Sequence, residues 1–173
     1  MKEQFKTLMG NYPTGVSIIT TYSHEDHGYT ANSLSSISLS PVIISFTLRA
    51  ESGLFDFFLN AAYMGISILT ISQENVARIF SSKMPMNYRF RQIKTKRGVN
   101  NCLLVEFSVA TIECKKLSQH MIGDHLVIYA EVTNSSIHGG VPLVYHRKNY
   151  TSVTSTLSSD NVDVTHTAQE KIS

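Results

Sequence analysis

The chain has little cysteine and no long apolar run, and each shortage excludes a class of protein. Its 173 residues include two cysteines, Cys102 and Cys114, which form no CxxC pair. Two such residues make neither a disulfide framework nor a structural zinc site. No apolar stretch approaches the roughly 20 residues of a transmembrane helix, and the first residues lack a secretory signal. We therefore expect a cytoplasmic protein without a membrane partner.

The usual sequence signatures of catalytic sites are also missing. The chain contains no GxSxG elbow, HExxH helix motif, P-loop or GxGxxG turn. Its histidines are scattered: His24 and His27 fall in a predicted polar turn, and His120 and His125 flank Gly123. No metal site is predicted from this spacing. The hydrophobic fraction of 42% and the charged fraction of 16% indicate one folded domain rather than a disordered chain.

The net charge of +2 hides a basic segment over residues 78–97 that contains no acidic residue. Such a patch can attract a nucleotide phosphate or a nucleic acid, or it can be a solvated loop. No helix-turn-helix pattern and no RNA-binding aromatic signature accompanies it. Nucleic acid is therefore not an expected partner. The basic residues are Arg78, Lys83, Arg89, Arg91, Lys94, Lys96 and Arg97.

The sequence pattern predicts β-strands for most of the chain, and these strands outnumber the predicted helices by about two to one. Short helices are predicted over residues 3–10, after Ser52, and from Gln73 to Ser81 with Ser72 as the cap. The strands do not alternate with helices, which favours a closed antiparallel β-barrel with a few peripheral helices. The predicted strands cover residues 16–21, 32–39, 42–48, 64–69, 104–114, 125–134 and 143–145.

The composition changes after residue 150. Residues 151–173 include ten serines and threonines and almost no large apolar side chain. Such a segment buries little surface, so it is either flexible or ordered by packing on the rest of the chain or on another subunit. The sequence therefore predicts a domain over residues 1–150 followed by a polar tail over residues 151–173.

Three polar segments are candidates for a binding site. HGYTANSLSSIS (residues 27–38) is dense in hydroxyls and amides, which suit a ligand rich in carbonyls, ring nitrogens and hydroxyls. RAES (residues 49–52) places a guanidinium beside a predicted helix start, where an anion can bind. In GDH (residues 123–125), Asp124 can hold the His125 ring in one tautomer. The alternatives are a solvated barrel mouth, a plain serine cap and a tight turn with an exposed histidine.

Taken in order, these segments resemble the flavin reductase-like family, the FMN-binding split barrels that serve as reductase components of two-component monooxygenases. NYPTGVSIITT resembles the opening strand of that family, GYTANSLSSISLSP its Gly-x-Thr-Ala-Asn-Ser segment, and VIISFTLRAES the strand before its phosphate site. GISILTISQENVARIFSS, the Arg89–Phe90 pair, IECKK, GDHLVIYAEV and PLVYHRKNY complete a match over about residues 5–150.

The resemblance implies a six-stranded antiparallel Greek-key split barrel that works as a homodimer. It implies hydride transfer from NADH or NADPH to FMN or FAD, with release of reduced flavin to a partner monooxygenase, whereas an FMN carrier without this activity is the alternative. Thr30, Ala31, Asn32 and Ser33 would line the flavin, with Ser36 close by. Ser52 and Arg49 would lie at its phosphate, Arg89 at the nucleotide phosphates, and His125 at the nicotinamide as the catalytic residue.

Two positions depart from the family pattern. Ser40–Pro41 stands where a double proline is common, and Gly53 follows Ser52 where a second serine or threonine is usual. The second departure touches the expected phosphate site, so the sequence does not decide between FMN and FAD.

Overall fold

A computed structural model describes residues 1–153, which contain four α-helices, one 3₁₀ turn and twelve β-strands. The helices are α1 (Lys2–Gly10), α2 (Phe55–Asn60), α3 (Glu74–Ser81) and α4 (Met86–Arg91), and the 3₁₀ turn covers Ile71–Gln73. The strands are β1 (Thr14–Gly15), β2 (Ser17–Ser23), β3 (Glu25–Ala31), β4 (Ser35–Leu39), β5 (Val42–Arg49), β6 (Tyr63–Ile68), β7 (Thr95–Arg97), β8 (Leu103–Val105), β9 (Ala110–Ile122), β10 (His125–Ile137), β11 (Leu143–His146) and β12 (Asn149–Ser152).

The main sheet is antiparallel and has seven strands in the order β3-β2-β6-β9-β10-β5-β4. The mostly β split-barrel class is confirmed, but the count of six strands is wrong. The additional strand is β3, whose first residues, Glu25, Asp26 and His27, have the polar composition of a turn. Strands β1, β11 and β12 form a second sheet, and β7 pairs with β8.

Side chains close the gap between β3 and β5, which are not paired by a backbone ladder. The Thr47 carbonyl of β5 accepts a hydrogen bond from the Tyr29 hydroxyl at 3.0 Å, and the Thr47 amide donates to the Ser33 Oγ at 3.0 Å. These contacts satisfy both backbone groups of Thr47 that face the gap. Burial raises the pKa of Tyr29 well above its usual value, so its hydroxyl stays protonated as the donor.

Two apolar clusters form the core. One fills the barrel and includes the fully buried Phe46, Phe58 and Ile128. The other packs α3 against the ends of β2, β8 and β11, and it includes Phe80 and Leu143. Because Phe58 belongs to α2 and Phe80 to α3, burial of these two rings fixes both helices beside β3.

The single strand predicted over residues 104–114 is wrong. The chain forms β8, leaves the ladder and starts β9 at Ala110, because Phe107 adopts a φ of 63° that no strand accommodates. The apolar alternation continues across this break, which is why the pattern suggested one strand. Both cysteines are buried, Cys102 just before β8 and Cys114 within β9.

The two predicted helix caps are also wrong. The 3₁₀ turn before α3 is capped by Thr70, whose backbone N–H donates a hydrogen bond to the Gln73 Oε1 at 3.1 Å. Ser72 instead pairs its hydroxyl with that of Thr70. α2 begins at Phe55, so Ser52 lies in the preceding turn and accepts a hydrogen bond from the Leu54 amide at 3.2 Å.

The boundary predicted at residue 150 falls inside β12, which ends at Ser152. The rest of the predicted tail, residues 154–173, lies outside the described residues. Over residues 1–153, no helix has the length and hydropathy needed to cross a membrane.

Candidate functional site

A cavity of about 980 Å³, the site cavity, opens between β3 and the ends of β5 and β10. The connector from α3 to α4 and the hairpin of β11 and β12 complete its lining. Ser36 lies outside the cavity, exposed on β4 opposite Ile44. All other predicted site residues line it, namely Thr30, Ala31, Asn32, Ser33, Arg49, Ser52, Arg89 and His125.

β3 is an edge strand and forms the floor of this cavity. It pairs only with β2 over the described residues, so the other edge of its backbone has no strand partner. Backbone N–H and C=O groups on such an edge are available to a planar ligand with donors and acceptors of its own. The Thr30 hydroxyl is not available as a donor, because it donates to the Ala77 carbonyl of α3 at 2.7 Å. Asn32 is exposed and donates to the Thr14 hydroxyl at 3.2 Å.

Arg89 organises the connector between α3 and α4. Its guanidinium donates to the carbonyls of Phe80 at 3.1 Å, Ser82 at 2.7 Å and Met84 at 2.7 Å. Burial lowers the pKa of Arg89 from its usual value, although three carbonyl acceptors compensate for part of the lost hydration. The guanidinium therefore has a structural contact for most of its donors before any ligand binds.

Two of the seven basic residues in the segment over residues 78–97 form ion pairs. Arg78 forms an ion pair with Glu74, and Arg97 binds the Asp26 carboxylate through two hydrogen bonds of 2.6 and 2.9 Å. Residues 86–91 form α4, which the sequence analysis did not predict. Of the predicted basic patch, Lys83 and Arg89 line the site cavity.

Arg49 and His125 stand directly opposite each other on β5 and β10. Gly123 has a φ of 60° in the two-residue turn between β9 and β10, a conformation that glycine adopts without strain. The turn brings the Asp124 carboxylate 2.7 Å from the His125 Nδ1, as the sequence predicted. The hydrogen bond from His125 lowers the pKa of Asp124, so the carboxylate stays ionised and orients the ring.

The sequence analysis missed His27 as a site residue and assigned it to a turn. The side chain is 3% exposed on β3, and its ring stacks on Phe57 of α2 with centroids 3.6 Å apart. Its Nε2 atom is buried without a hydrogen-bond partner within residues 1–153. Burial lowers the pKa of His27, and the Glu25 and Asp26 carboxylates only partly oppose that shift. The available signal was the place of His27 at the start of the HGYTANS segment.

A second cavity of about 1190 Å³ adjoins the site cavity and is bordered by α1. The two cavities share Val16, Asn32, Ser33, Arg49 and Tyr145. The second cavity is lined by Lys6, Arg49, Arg147 and Lys148, and by no acidic residue of the described range 1–153. The joined space therefore suits a long ligand with a planar head and a negatively charged tail.

Comparison with known proteins agrees with this geometry. The sequence profile described as a flavin reductase like domain matches residues 9–154. An NADH-dependent flavin reductase from a Rhodococcus species is 30% identical over 152 residues, which are 86% of this chain and 84% of that protein. The solved structure of the flavin reductase HpaC in complex with NADP⁺ superposes with a TM-score of 0.81 at 33% identity, covering 88% of this chain and 98% of that one.

A further relative is the reductase component of the flavin-dependent trigonelline monooxygenase of Acinetobacter baylyi. It is 28% identical over 149 residues, which are 85% of this chain, and the chain spans 47% of its length. The profile match, the Rhodococcus relative and the split barrel agree, and the chain belongs to the flavin reductase-like domain family.

Proposed function

We propose that the chain is an NAD(P)H-dependent flavin reductase, which transfers hydride from NADH or NADPH to FMN or FAD. The observation that carries the proposal is the joined pair of cavities, with an unpaired strand edge at the floor and cations around the second cavity. Hydride chemistry is supplied by the two cofactors themselves. The protein contributes position, because the reacting rings must meet at roughly 3–3.5 Å.

The residues around the cavities fit a flavin nucleotide. The β3 edge offers backbone groups along residues 30–33 to the polar rim of the ring system, and these donors suit the negative charge that reduced flavin carries. Arg49 lines both cavities, so it is the cation best placed for the phosphate, with Ser52 beside it. His125, held by Asp124, orients the nicotinamide by hydrogen bonding and is not required as a nucleophile.

An anaerobic visible spectrum tests the activity. The purified chain receives FMN or FAD, then NADH, and in a second series NADPH. Loss of the flavin band near ~450 nm over many equivalents of flavin is the expected result. A bound flavin that neither donor reduces would contradict the proposal and favour a flavin carrier or a flavoprotein with another reductant.

The role of Arg49 has a separate test that needs no turnover. Arg49→Gln should weaken FMN binding about tenfold, because a charged hydrogen bond to phosphate is lost, and should leave riboflavin binding unchanged. The control is Glu51→Gln, an exposed neighbour that does not line either cavity. Equal weakening of FMN and riboflavin would move Arg49 away from the phosphate.

The homodimer belongs to the same proposal. α1 buries none of its residues, and Phe5 and Leu8 form an apolar stripe on it with exposures of 60% and 62%. A stripe with this spacing is the usual face of a helix that packs on a partner, here a second copy. Light scattering should give twice the mass of one chain. Leu8→Asp should shift that mass towards the monomer, whereas Thr7→Asp, away from the stripe on the same helix, should not.

We further propose that reduced flavin passes to a partner monooxygenase in the cytoplasm, where pyridine nucleotides are available. One curated relative is named as a reductase component of such a system. The domain would comprise the split barrel through β12, with the following residues as a tail. The transfer is tested by adding the chain to a flavin-dependent monooxygenase, whose hydroxylation should depend on the flavin that this chain reduces. Cell fractionation tests the cytoplasmic location.

A further inference from the structure

Glu25 is the only carboxylate among the described residues that line the site cavity. It begins β3, and its side chain is 69% exposed. The neighbouring Asp26 is engaged by Arg97 in a two-bond ion pair, so it is not equivalent. Over residues 1–153, the only basic group within 4.0 Å of the Glu25 carboxylate is the His27 imidazole, with Nε2 to Oε1 at 3.7 Å. That separation is too long for a hydrogen bond.

His27 gives this end of the cavity an unsatisfied polar atom. Its ring is 97% buried between the cavity and Phe57, and its Nε2 has no partner within residues 1–153. A buried ring nitrogen without a hydrogen bond is uncommon in folded proteins, because its lost hydration is not replaced. A ligand hydroxyl that reaches both the carboxylate and the imidazole would satisfy both groups. A vicinal diol carries two such hydroxyls.

The cations around the site cavity do not cancel the charge of Glu25. Arg89 already donates to one carbonyl of α3 and two of the connector, and Arg49 stands opposite His125 at the ends of β5 and β10. Lys83 is exposed on the connector and is the remaining lysine or arginine of the lining. A phosphate near Glu25 would therefore meet a carboxylate without a compensating cation within hydrogen-bond distance.

We propose that Glu25 and His27 bind the adenosine ribose diol of the pyridine nucleotide and so favour NADH over NADPH. The inference rests on the proposed reductase function and adds the choice of donor. A carboxylate accepts hydrogen bonds from the 2′- and 3′-hydroxyls of NADH. The 2′-phosphate of NADPH replaces one hydroxyl with negative charge, and like-charge contact is an effective means of rejecting the wrong ligand.

Equilibrium binding to the flavin-loaded protein tests this subsite without turnover. NAD⁺ and NADP⁺ are titrated by calorimetry into the native chain and into Glu25→Gln, Glu51→Gln and Lys83→Gln variants. We expect the native chain to bind NAD⁺ at least about tenfold more tightly than NADP⁺. Glu25→Gln should reduce that ratio to about threefold or less, while Glu51→Gln, with the same change in charge near the cavity, should leave it unchanged.

A second variant separates the two residues. His27→Phe keeps an aromatic ring against Phe57 and should weaken NAD⁺ binding severalfold while preserving discrimination against NADP⁺. A Glu25→Gln ratio equal to that of the native chain would overturn the inference, as would a ratio that changes in Lys83→Gln instead. If the flavin-loaded chain binds neither nucleotide and is not reduced by either, the proposed function itself fails, which is a different result from an unchanged ratio.

Discussion

Four of the polar side chains that line the site cavity form two groups, which differ in what they contact. The bonded wall, Thr30 and Arg89, directs its hydrogen bonds to backbone carbonyls of α3 and the connector. The open wall consists of Arg49 and His125, which lie opposite each other at the ends of the paired strands β5 and β10. The Arg49 side chain is exposed and the His125 side chain is partly exposed. Both walls belong to segments that resemble the family's motifs, but of the two only the open wall keeps polar groups without a hydrogen-bond partner among residues 1–153. A motif residue can therefore serve the reaction by shaping the cavity.

Arg89→Met gives the strongest test of the bonded wall. Removal of the guanidinium leaves three carbonyls of α3 and the connector without their donor, and we expect the free energy of unfolding to fall by roughly 2–4 kcal/mol. Arg91→Met, on the same helix, should change it by less than about 0.5 kcal/mol because Arg91 is exposed. Urea denaturation measures both. A stable Arg89→Met protein with a raised KM for the pyridine nucleotide would instead assign Arg89 to ligand binding.

Thr30→Val is a smaller change in the same wall. The valine keeps the shape of the side chain but loses the hydroxyl that donates to the Ala77 carbonyl, and the unfolding free energy should fall by about 1–2 kcal/mol. Ser36→Ala is the control within the same polar segment, since Ser36 is exposed outside the cavity. It should alter neither stability nor flavin affinity. An unchanged stability in Thr30→Val combined with weaker flavin binding would place Thr30 in the open wall.

His125→Ala tests the open wall. In contrast to the variants of the bonded wall, it should lower activity and leave stability unchanged. Because the only side-chain hydrogen bond of the His125 ring among residues 1–153 is the one to Asp124, we expect the melting temperature to stay within the error of the measurement. We expect kcat/KM for the pyridine nucleotide to fall about tenfold, which corresponds to about 1.4 kcal/mol of lost transition-state binding. His120→Ala, an exposed histidine on the same hairpin, should retain full activity. A loss of stability without a kinetic effect would remove the distinction between the walls.

Local pattern predicted the elements whose burial alternates along the strand. The strand predicted from His125 to Asn134 is β10, which continues to Ile137. It was predictable because every second side chain from Leu126 to Ala130 is apolar and buried. The same reasoning failed at Phe107, where a single positive φ breaks a continuous alternation. Turn geometry of this kind depends on contacts across the chain, which periodicity does not contain.

The candidate site was predictable as a set of segments but not as a set of contacts. The density of hydroxyls in residues 27–38 located the cavity, yet the partner of Thr30 is Ala77, 47 residues further along the chain. Likewise, His27 is buried by Phe57 of α2, a contact that requires the folded barrel. The division between bonded and open walls therefore appears only in three dimensions.

The smallest expected effect concerns His27, which extends the comparison from hydrogen bonds to protonation. Burial lowers the pKa of this imidazole in the folded chain, whereas the unfolded chain keeps the usual value of about 6.5. As the pH falls below about 6.5, the unfolded state takes up a proton at His27 that the folded state does not, so folding stability decreases.

His27→Phe keeps the stack on Phe57 and removes this proton uptake. Its melting temperature should therefore fall less between pH 7.5 and pH 5.5 than that of the native chain. Parallel decreases in the native chain and His27→Phe would mean that burial of His27 does not hinder its protonation in the folded protein, and would contradict this prediction.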